Sequence, residues 1–270
     1  MSMDAAATIP AETDEALEPA SRVWLSVFGS TVTLIGLVAL WEVLVRHFNV
    51  PGWLLPAPSA IAQSMVEWRA ELVTHTMVTL YETLVGFAFA IAVSVPLAVA
   101  VVYSQFLQNT IYPLLLALQS TPKVAIAPLL ALWIGFGAAP KIIVVFLVCF
   151  FPIIVATASG LTAVPAQLID LIRSLSATQM QTFVKIRFPT AMPHIFVGLK
   201  IAITFAVIGA VIGEFVGSEN GLGYLILVST SQSRTPLAFG ALVLLTVMSI
   251  GLYYAVALVE RIVVPWAPRN

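Results

Sequence analysis

The sequence is short of charge, cysteine and phosphate-binding motifs, and each shortage excludes a class of protein. Only 9% of its 270 residues are charged while 60% are hydrophobic, and its mean hydropathy is +1.02. Soluble proteins carry about a quarter charged residues, so the chain is predicted to be an integral membrane protein. The net charge of -1, with no basic stripe, indicates no nucleic-acid partner.

Candidate catalytic and metal-binding residues are scarce. The single cysteine, Cys149, lies in an apolar run, so it forms no disulfide within the chain and is interpreted as a small buried hydrophobic residue. His47, His75 and His194 fall at the ends of different predicted spans, so neither a metal cluster nor a Ser-His-Asp arrangement is predicted. The chain has no Gly-Lys-Ser or Gly-Lys-Thr phosphate loop. We therefore expect no enzyme activity and no cofactor, and any ATP hydrolysis would belong to another subunit.

Long apolar runs predict six transmembrane helices, since a span needs roughly 20 apolar residues. The predicted spans are residues 23–45, 77–103, 110–136, 141–163, 193–216 and 237–259. The acidic segment 1–21, which contains no base or aromatic residue, is predicted to be a disordered cytoplasmic tail. Residues 22–76 are predicted to hold the first span and an outer interfacial segment. The fold class is therefore an all-α membrane protein.

The distribution of basic residues predicts the orientation. With both termini in the cytoplasm, more bases fall on the inner side than on the outer side, as the positive-inside rule requires. The inner bases are Arg22, Arg173, Lys185, Arg187, Lys200, Arg261 and Arg269, and the outer bases are Arg46, Arg69, Lys141 and Arg234. The loop between the fourth and fifth spans is thus predicted to be cytoplasmic.

That loop carries the clearest motif, DLIRSLSATQMQTFVKIRFPTAMP, over Asp170–Pro193. Its apolar residues recur at helical spacing in two short runs, with small residues between them. Small side chains at a bend allow another protein to approach the backbone. Pro189 is expected to end the second run, and Pro193 to begin the next helix. The pattern predicts a helix, a bend, a second helix and a stop.

This segment resembles the cytoplasmic EAA loop of ABC importer permeases. The family pattern is an acidic residue, a glycine six positions on, an isoleucine ten further, and then Leu-Pro. Asp170, Ser176, Ile186 and Phe188-Pro189 stand at those positions, with serine replacing glycine and phenylalanine replacing leucine. Serine adopts a positive φ less readily than glycine. The stretches APLLALWIGFGAAPKI, FFPIIVATASGL and ENGLGYLI are similar to the branch that imports nitrate, sulfonates and taurine.

The resemblance implies a MetI-like permease core over residues 77–265 and a coupling loop at 165–192. In this reading Leu175, Ser176 and Ala177 contact an ATPase, while Asp170 and Arg173 fix the loop by charge pairing. The implied partners are an ABC ATPase dimer, a second permease copy, a periplasmic or lipid-anchored solute-binding protein, and membrane lipid. The implied location is the bacterial inner membrane, with the chain crossing it several times and both termini in the cytoplasm.

Two further groups of residues are candidate sites. Lys123 follows Pro122 inside the third predicted span, and an ionisable residue there indicates a place on the translocation pathway. Its alternatives are pairing with a freed helix carbonyl, or snorkelling. Glu214 and Glu219 flank the polar, glycine-rich stretch GSENGLGYLILVSTSQSRTP, which is interpreted as an outer gate or receptor contact.

Glycines at positions 209, 213 and 217 predict a ridge for close helix contact in the fifth span.

Two other functions compete with that of an importer permease, and the second, a membrane-embedded enzyme, fails because no converging polar residues are found. An ion-driven secondary transporter would normally show internal repeats, and no second copy of the central loop or of the Pro122-Lys123 pair is found. A membrane-embedded enzyme would need converging polar residues. The solute is also open among sulfonates, nitrate and taurine, heterocyclic vitamins or precursors such as riboflavin or a thiamine pyrimidine, and aromatic acids. The Pro122-Lys123 pair resembles the vitamin-precursor and aromatic group.

Overall fold

The computed structural model describes residues 20–267, without the side chains of 20–28, 30, 112, 115, 116, 118 and 173, and the described range contains helices and no strands. The elements are α1 (Ala20–His47), α2 (Pro58–Glu67), α3 (Arg69–Tyr103), α4 (Gln105–Gln119), α5 (Lys123–Ile134), α6 (Ala138–Thr162), α7 (Ala166–Ser174), α8 (Gln179–Thr182), a π-helical turn (Phe183–Arg187), α9 (Phe188–Gly217), α10 (Leu222–Ser231) and α11 (Thr235–Val263). The predicted disordered tail lies outside the described residues, except for its last two positions.

The described chain divides into two units, one ending at Val50 and one beginning at Pro51. In the first, α1 exposes its apolar side chains, with Leu34 63% and Ile35 62% exposed. In the second, four helical segments are long and apolar enough to cross a membrane, namely Arg69–Tyr103, Ala138–Thr162, Gln179–Gly217 and Thr235–Val263. With α1 and the pair α4 and α5, they account for the six predicted spans, and the all-α membrane fold is confirmed.

The third predicted span is not one helix. Helix α4 ends at Gln119, and α5 begins at Lys123 after Pro122, which has extended backbone angles of φ -68° and ψ 99°. Proline lacks the N–H that would continue a helix and disfavours helical angles in the residue before it. The prediction of a continuous helix over 110–136 was therefore wrong, and Lys123 lies at a helix start.

The predicted stop at Pro189 was also wrong. The chain remains helical from Gln179 to Gly217, and Pro189 is the second residue of α9. The π-helical turn precedes it, and the N–H of Phe188 bonds to the carbonyl of Phe183, five residues earlier. This wider turn joins α8 to α9 without a break.

Helices α6 and α9 pack antiparallel along a seam of small residues. A Cβ added to Gly209 would lie 3.1 Å from the Cα of Val145, and one added to Gly213 would lie 3.0 Å from the Cα of Lys141. Toward the other end of the seam, a Cβ on Gly198 would lie 2.4 Å from the Cβ of Ala156. The two backbones therefore meet closely over most of their length.

The glycine ridge predicted from positions 209, 213 and 217 is confirmed by this packing. Its last member, Gly217, packs against the ring of Phe136, 2.6 Å from an added Cβ.

Helix α3 lies beside α6 and runs parallel to it. A Cβ on Gly86 would lie 2.5 Å from the Cβ of Val145, and further along the pair the hydroxyl of Ser94 donates to the carbonyl of Phe150 at 3.2 Å. The core between α3, α6 and α9 is made largely of small or branched residues with no more than 1% exposure, which include Ala90, Val145, Cys149, Ile153, Ala202, Ile203 and Ala206.

Gly86→Ala is expected to lower the melting temperature of the detergent-purified chain. The new methyl group would lie 2.5 Å from Val145 and 2.9 Å from the carbonyl of Ile142. Overpacking of this kind costs about 1–3 kcal/mol, and each kcal/mol shifts Tm by about 2–4 °C in a chain of this size.

Gly251→Ala is the matched control for that measurement, because Gly251 also lies inside a helix but has nothing within 4 Å of an added Cβ. Alanine forms helix better than glycine, so this variant is expected to keep or raise Tm. Equal losses in the two variants would contradict the packing described for α3 and α6.

Candidate functional site

The central segment, residues 165–192, contains a sharp bend at Ser176. Helix α7 ends at Ser174, and Ser176 has a φ of +58°. The N–H of Ala177 then bonds to the carbonyl of Ile172 at 3.3 Å, five residues earlier. This is a Schellman helix end, in which the residue with positive φ is usually glycine. Serine therefore adopts at this position the backbone conformation that the family pattern assigns to glycine.

A capping box begins the helix after the bend. The backbone N–H of Gln181 donates to the hydroxyl of Thr178 at 3.2 Å, and the N–H of Thr178 donates to the side-chain oxygen of Gln181 at 2.9 Å. Because α7 is closed by the Schellman end and α8 is opened by the box, residues 174–178 are fixed from both sides. The Thr-x-x-Gln spacing is a sequence signal for this helix start that the sequence analysis missed.

Apolar side chains are exposed on both sides of the bend. Leu175 is 74% exposed, Met180 69% and Leu171 57%, while Ala177 is half-buried and Ser176 is exposed. Exposed apolar side chains clustered at one place mark an interaction surface. We name the exposed residues Leu171, Leu175, Ser176 and Met180, together with Ala177, the bend surface.

The charge pairing predicted for this segment is not tested, because the Arg173 side chain lies outside the described residues. Asp170 stands exposed on α7, and Ile186 is half-buried within the π-helical turn. The structure thus places Asp170 and Ile186 on opposite sides of the bend.

Aromatic contacts attach the second half of the segment to the bundle. The rings of Tyr103 and Phe183 meet edge to face with centroids 5.6 Å apart, and the guanidinium carbon of Arg187 lies 5.4 Å from the centroid of Tyr103. The indole N–H of Trp266 donates to the carbonyl of Pro189 at 3.3 Å. The π-helical turn is therefore held against the end of α3 and the C-terminal segment.

Ser176→Gly is expected to slow amide hydrogen exchange in residues 171–182. Glycine removes the strain of a left-handed conformation, which costs about 1 kcal/mol in a residue with a side chain, and so exchange through local opening should slow about fivefold.

Ser174→Gly is the control for that exchange measurement, because Ser174 is the last residue of α7 and glycine weakens helix ends of ordinary conformation. Exchange over the same residues should be faster in this variant. If Ser176→Gly also speeds exchange, the Schellman end does not limit the opening of the bend.

Lys123 lies at the edge of a cavity of about 510 Å³. Its Nζ donates to the carbonyl of Gln119 at 3.1 Å and lies 5.7 Å from the ring centroid of Phe151. Both contacts line the cavity, together with Pro152, Val155, Ala156, Ser159, His194, Val197, Gly198 and Ile201. The walls are mostly apolar, and Gln119, Ser159 and His194 supply polar groups. Pairing with a helix carbonyl, one of the alternatives for Lys123, is thus observed at the helix break.

A second polar region lies where α10 begins, and three side chains of other helices hold its first N–H groups. The N–H of Gly221 donates to Nδ1 of His75 at 2.9 Å, and the N–H of Leu222 donates to the hydroxyl of Thr79 at 2.8 Å. The N–H of Gly223 donates to the carboxylate of Glu214 at 2.6 Å. Helix α10 is therefore bonded to α3 through His75 and Thr79, and to α9 through Glu214.

Three ionisable residues are buried beside this helix start. Glu82 on α3 forms an ion pair with Lys141 on α6, and Lys141 also donates to the hydroxyl of Ser218 at 2.9 Å. The hydroxyl of Thr79, which precedes Glu82 by three residues on α3, donates to Glu214 at 2.6 Å. We call Glu82, Lys141 and Glu214 the buried charge cluster.

Only one member of this cluster, Glu214, was predicted from the sequence as a site residue. Glu82, which is 1% exposed, was not among the candidates, and Lys141 was counted only as an outer base. Glu214 and Glu219 were both predicted to belong to an outer gate or receptor contact, and they differ in burial, since Glu214 is 1% exposed while Glu219 is exposed. The missed signal is that Glu82 and Lys141 each interrupt an apolar run with a charge of opposite sign.

The fold and these segments define a class of protein. It is a helical membrane protein in which an exposed helical segment lies between two spans and continues directly into the second span. Residues 85–267 match the family described as "Binding-protein-dependent transport system inner membrane component". The chain belongs to this family, and it is the permease subunit of an ABC importer, a membrane transport component that is not an enzyme.

Named relatives agree with this assignment. The chain is 33% identical over 241 residues to the "Formylaminopyrimidine transport permease protein ThiX" of Halalkalibacterium halodurans, covering 89% of this chain and 96% of that protein. It is 34% identical over 242 residues to the "Riboflavin transport system permease protein RibX" of Chloroflexus aurantiacus, covering 88% and 90%. It is 27% identical over 270 residues to the "Putative aliphatic sulfonates transport permease protein SsuC" of Bacillus subtilis, covering 98% of each.

A solved structure shares the fold. An inward-facing form of the MetNI methionine ABC transporter superposes with a TM-score of 0.62 at 22% identity, covering 75% of this chain and 99% of that chain. The similarity supports the MetI-like arrangement of the helices after the first span.

Proposed function

We propose that the central segment, residues 165–192, is the coupling loop through which a separate ATPase drives this permease, and that the bend surface enters the ATPase. The observation that carries the proposal is the exposure of Leu171, Leu175 and Met180 around a bend that is fixed by helix caps on both sides. A preformed apolar projection gains more from docking than a flexible loop, because it loses less conformational entropy.

The continuous helix from Gln179 to Gly217 supplies the route from this surface to the opposite end of α9. A displacement of the bend acts on the π-helical turn, since Ile186 and Pro189 lie between the bend and α9. Helix α9 ends at the residues that hold the start of α10, so the bend and the buried charge cluster are joined by one element. Binding at one end then biases the state of the other.

The proposed assembly has two copies of this permease, an ABC ATPase dimer at the bend surfaces and a soluble receptor at the other side of the membrane. We assign both termini and the coupling loop to the cytoplasm of a bacterial cell. In this orientation α10 lies at the outer end, where Glu214 holds a closed gate from inside. Glu219 is exposed beside it and is the proposed receptor contact.

Ala177→Glu is expected to abolish co-purification of the ATPase encoded with this chain. Ala177 is half-buried between the two helices at the bend, so a carboxylate there adds both bulk and charge to the docking surface. The measurement is capture of the ATPase by the tagged permease in mild detergent, together with the melting temperature of the permease.

Gln108→Glu is the charge control, because Gln108 is exposed on α4 just after Tyr103, which contacts Phe183 at the same end of the bundle. This variant should keep the ATPase. Retention of the ATPase by a folded Ala177→Glu variant would remove the bend surface from the coupling interface.

We propose that the cavity beside Lys123 belongs to the translocation pathway and that the solute is a planar nitrogen heterocycle of the pyrimidine or flavin class. Two relatives named for such solutes are 33% and 34% identical to this chain, against 27% for the sulfonate relative. A mostly apolar cavity with an amide, a hydroxyl, an imidazole and a nearby ammonium suits a flat ring with polar edges. Pro122 fixes the helix break that presents Lys123.

Lys123→Met is expected to raise the KM for uptake about tenfold in vesicles that contain the whole transporter. The reason is the loss of an ammonium group beside the cavity, which corresponds to about 1.4 kcal/mol of binding. Uptake is measured with radiolabelled pyrimidine and flavin, with an alkanesulfonate in parallel.

Lys123→Arg keeps the charge and is the matched control, so its KM should stay near that of the natural chain. An unchanged KM in a folded Lys123→Met variant would remove Lys123 from the pathway. Uptake of the sulfonate alone would contradict the heterocycle assignment while leaving the coupling loop intact.

A further inference from the structure

The buried charge cluster has one more acid than base. Glu82 and Glu214 are each 1% exposed and Lys141 is 6% exposed, and all three lie in helices that span the membrane. If all three were ionised, the cluster would carry one uncompensated negative charge. Proteins avoid such burial because the desolvation of an unpaired ion costs several kcal/mol even after relaxation.

Glu214 has the surroundings of an ionised carboxylate. One oxygen accepts the hydroxyl proton of Thr79 at 2.6 Å, and the other accepts the N–H of Gly223 at 2.6 Å. The Thr79 hydroxyl itself accepts the N–H of Leu222, and of the two acceptors that its own proton faces, Glu214 at 2.6 Å is nearer than the carbonyl of His75 at 3.2 Å. Glu214 also faces the first turn of α10, where the helix dipole favours a negative charge.

Glu82 has different surroundings. Its Oε1 pairs with Lys141, whereas its buried Oε2 has no hydrogen-bond partner among the described residues. Glu214 faces the side of α3 that carries Glu82, because Thr79, which precedes Glu82 by three residues on that helix, donates to Glu214. An ionised Oε2 would leave a buried acceptor without a donor beside a second carboxylate. A protonated Oε2 would instead donate to Glu214.

We propose that the cluster is a proton-binding site, in which Glu82 carries one proton on Oε2 and shares it with Glu214. The cluster is then neutral, with Lys141 positive, Glu214 negative and Glu82 uncharged. His75 also faces the start of α10, and its Nδ1 accepts the N–H of Gly221, which requires that nitrogen to be unprotonated. The proton on Glu82 thus completes a hydrogen-bonded network that joins α3, α6, α9 and α10.

The two glutamates are therefore not equivalent, and amide substitutions separate them. In Glu82→Gln the side-chain oxygen still accepts from Lys141, and the NH₂ group donates to Glu214 as the acid does. In Glu214→Gln the NH₂ group must face the hydroxyl of Thr79 or the N–H of Gly223, both of which donate to the natural residue.

The test compares the purified full-length permease, Glu82→Gln and Glu214→Gln at neutral pH, by melting temperature and by the infrared band of a protonated carboxylic acid. We expect Glu82→Gln to keep the natural Tm and to lose the acid band. Glu214→Gln should lower Tm by about 4 °C or more, on the scale of lost hydrogen bonds to a buried charge. These readouts need no solute or ATPase, so they are independent of the proposed function.

The absence of an acid band from the natural protein would overturn the proposal, as would a band that persists in Glu82→Gln. An equal Tm loss in the two amide variants would overturn the assignment of the proton to Glu82. If Glu214→Gln fails to accumulate, Glu82→Ala replaces it, because alanine cannot donate to Glu214. Glu82→Ala should then have a lower Tm than Glu82→Gln, and equal values would contradict the shared proton.

Discussion

The close contact of α6 with α9 is the constraint on which the rest of the permease depends. Lipid supplies no hydrophobic force between helices, so they associate where small residues allow backbones to meet. Gly198, Gly209 and Gly213 provide this contact from one end of α9 to the other. Because α9 is held against α6 in this way, its two ends are fixed relative to the core. One end carries the central segment and the other carries the buried charge cluster.

The two ends of α9 are built from opposite kinds of surface. At the end that carries the central segment, apolar side chains such as Leu175 are exposed, and Thr178 and Gln181 form a capping box. At the other end, Glu214 and its partners are buried and nearly every donor has an acceptor. The first arrangement, an exposed apolar surface, suits a partner that binds and dissociates. Docking removes its apolar area from water, and dissociation exposes that area again. The second suits a contact that must open only when several hydrogen bonds are broken together.

Much of the fold could be predicted, because the length of an apolar run in the sequence indicates directly whether that segment can span the lipid bilayer as a helix. The spans and the glycine ridge depend on such local patterns. Hydropathy does not reveal which partner a charged residue finds, so the pairing of Glu82 with Lys141 was not predicted. The break at Pro122 and the continuity at Pro189 also depend on context. Pro122 is itself the extended residue before α5, while Pro189 stands in the first turn of α9 after a π-helical turn.

The bend at Ser176 shows how far a family pattern determines a backbone. The pattern expects glycine, which has no steric penalty at positive φ, and this chain has serine with a φ of +58°. The conformation persists because the Schellman bond from Ala177 to Ile172 and the capping box at Thr178 both require the same turn. The residue type at the bend determines only the free-energy cost of the positive φ, whereas the hydrogen bonds on either side determine the shape of the turn. The geometry of this bend is therefore formed with serine at the position where the family pattern has glycine.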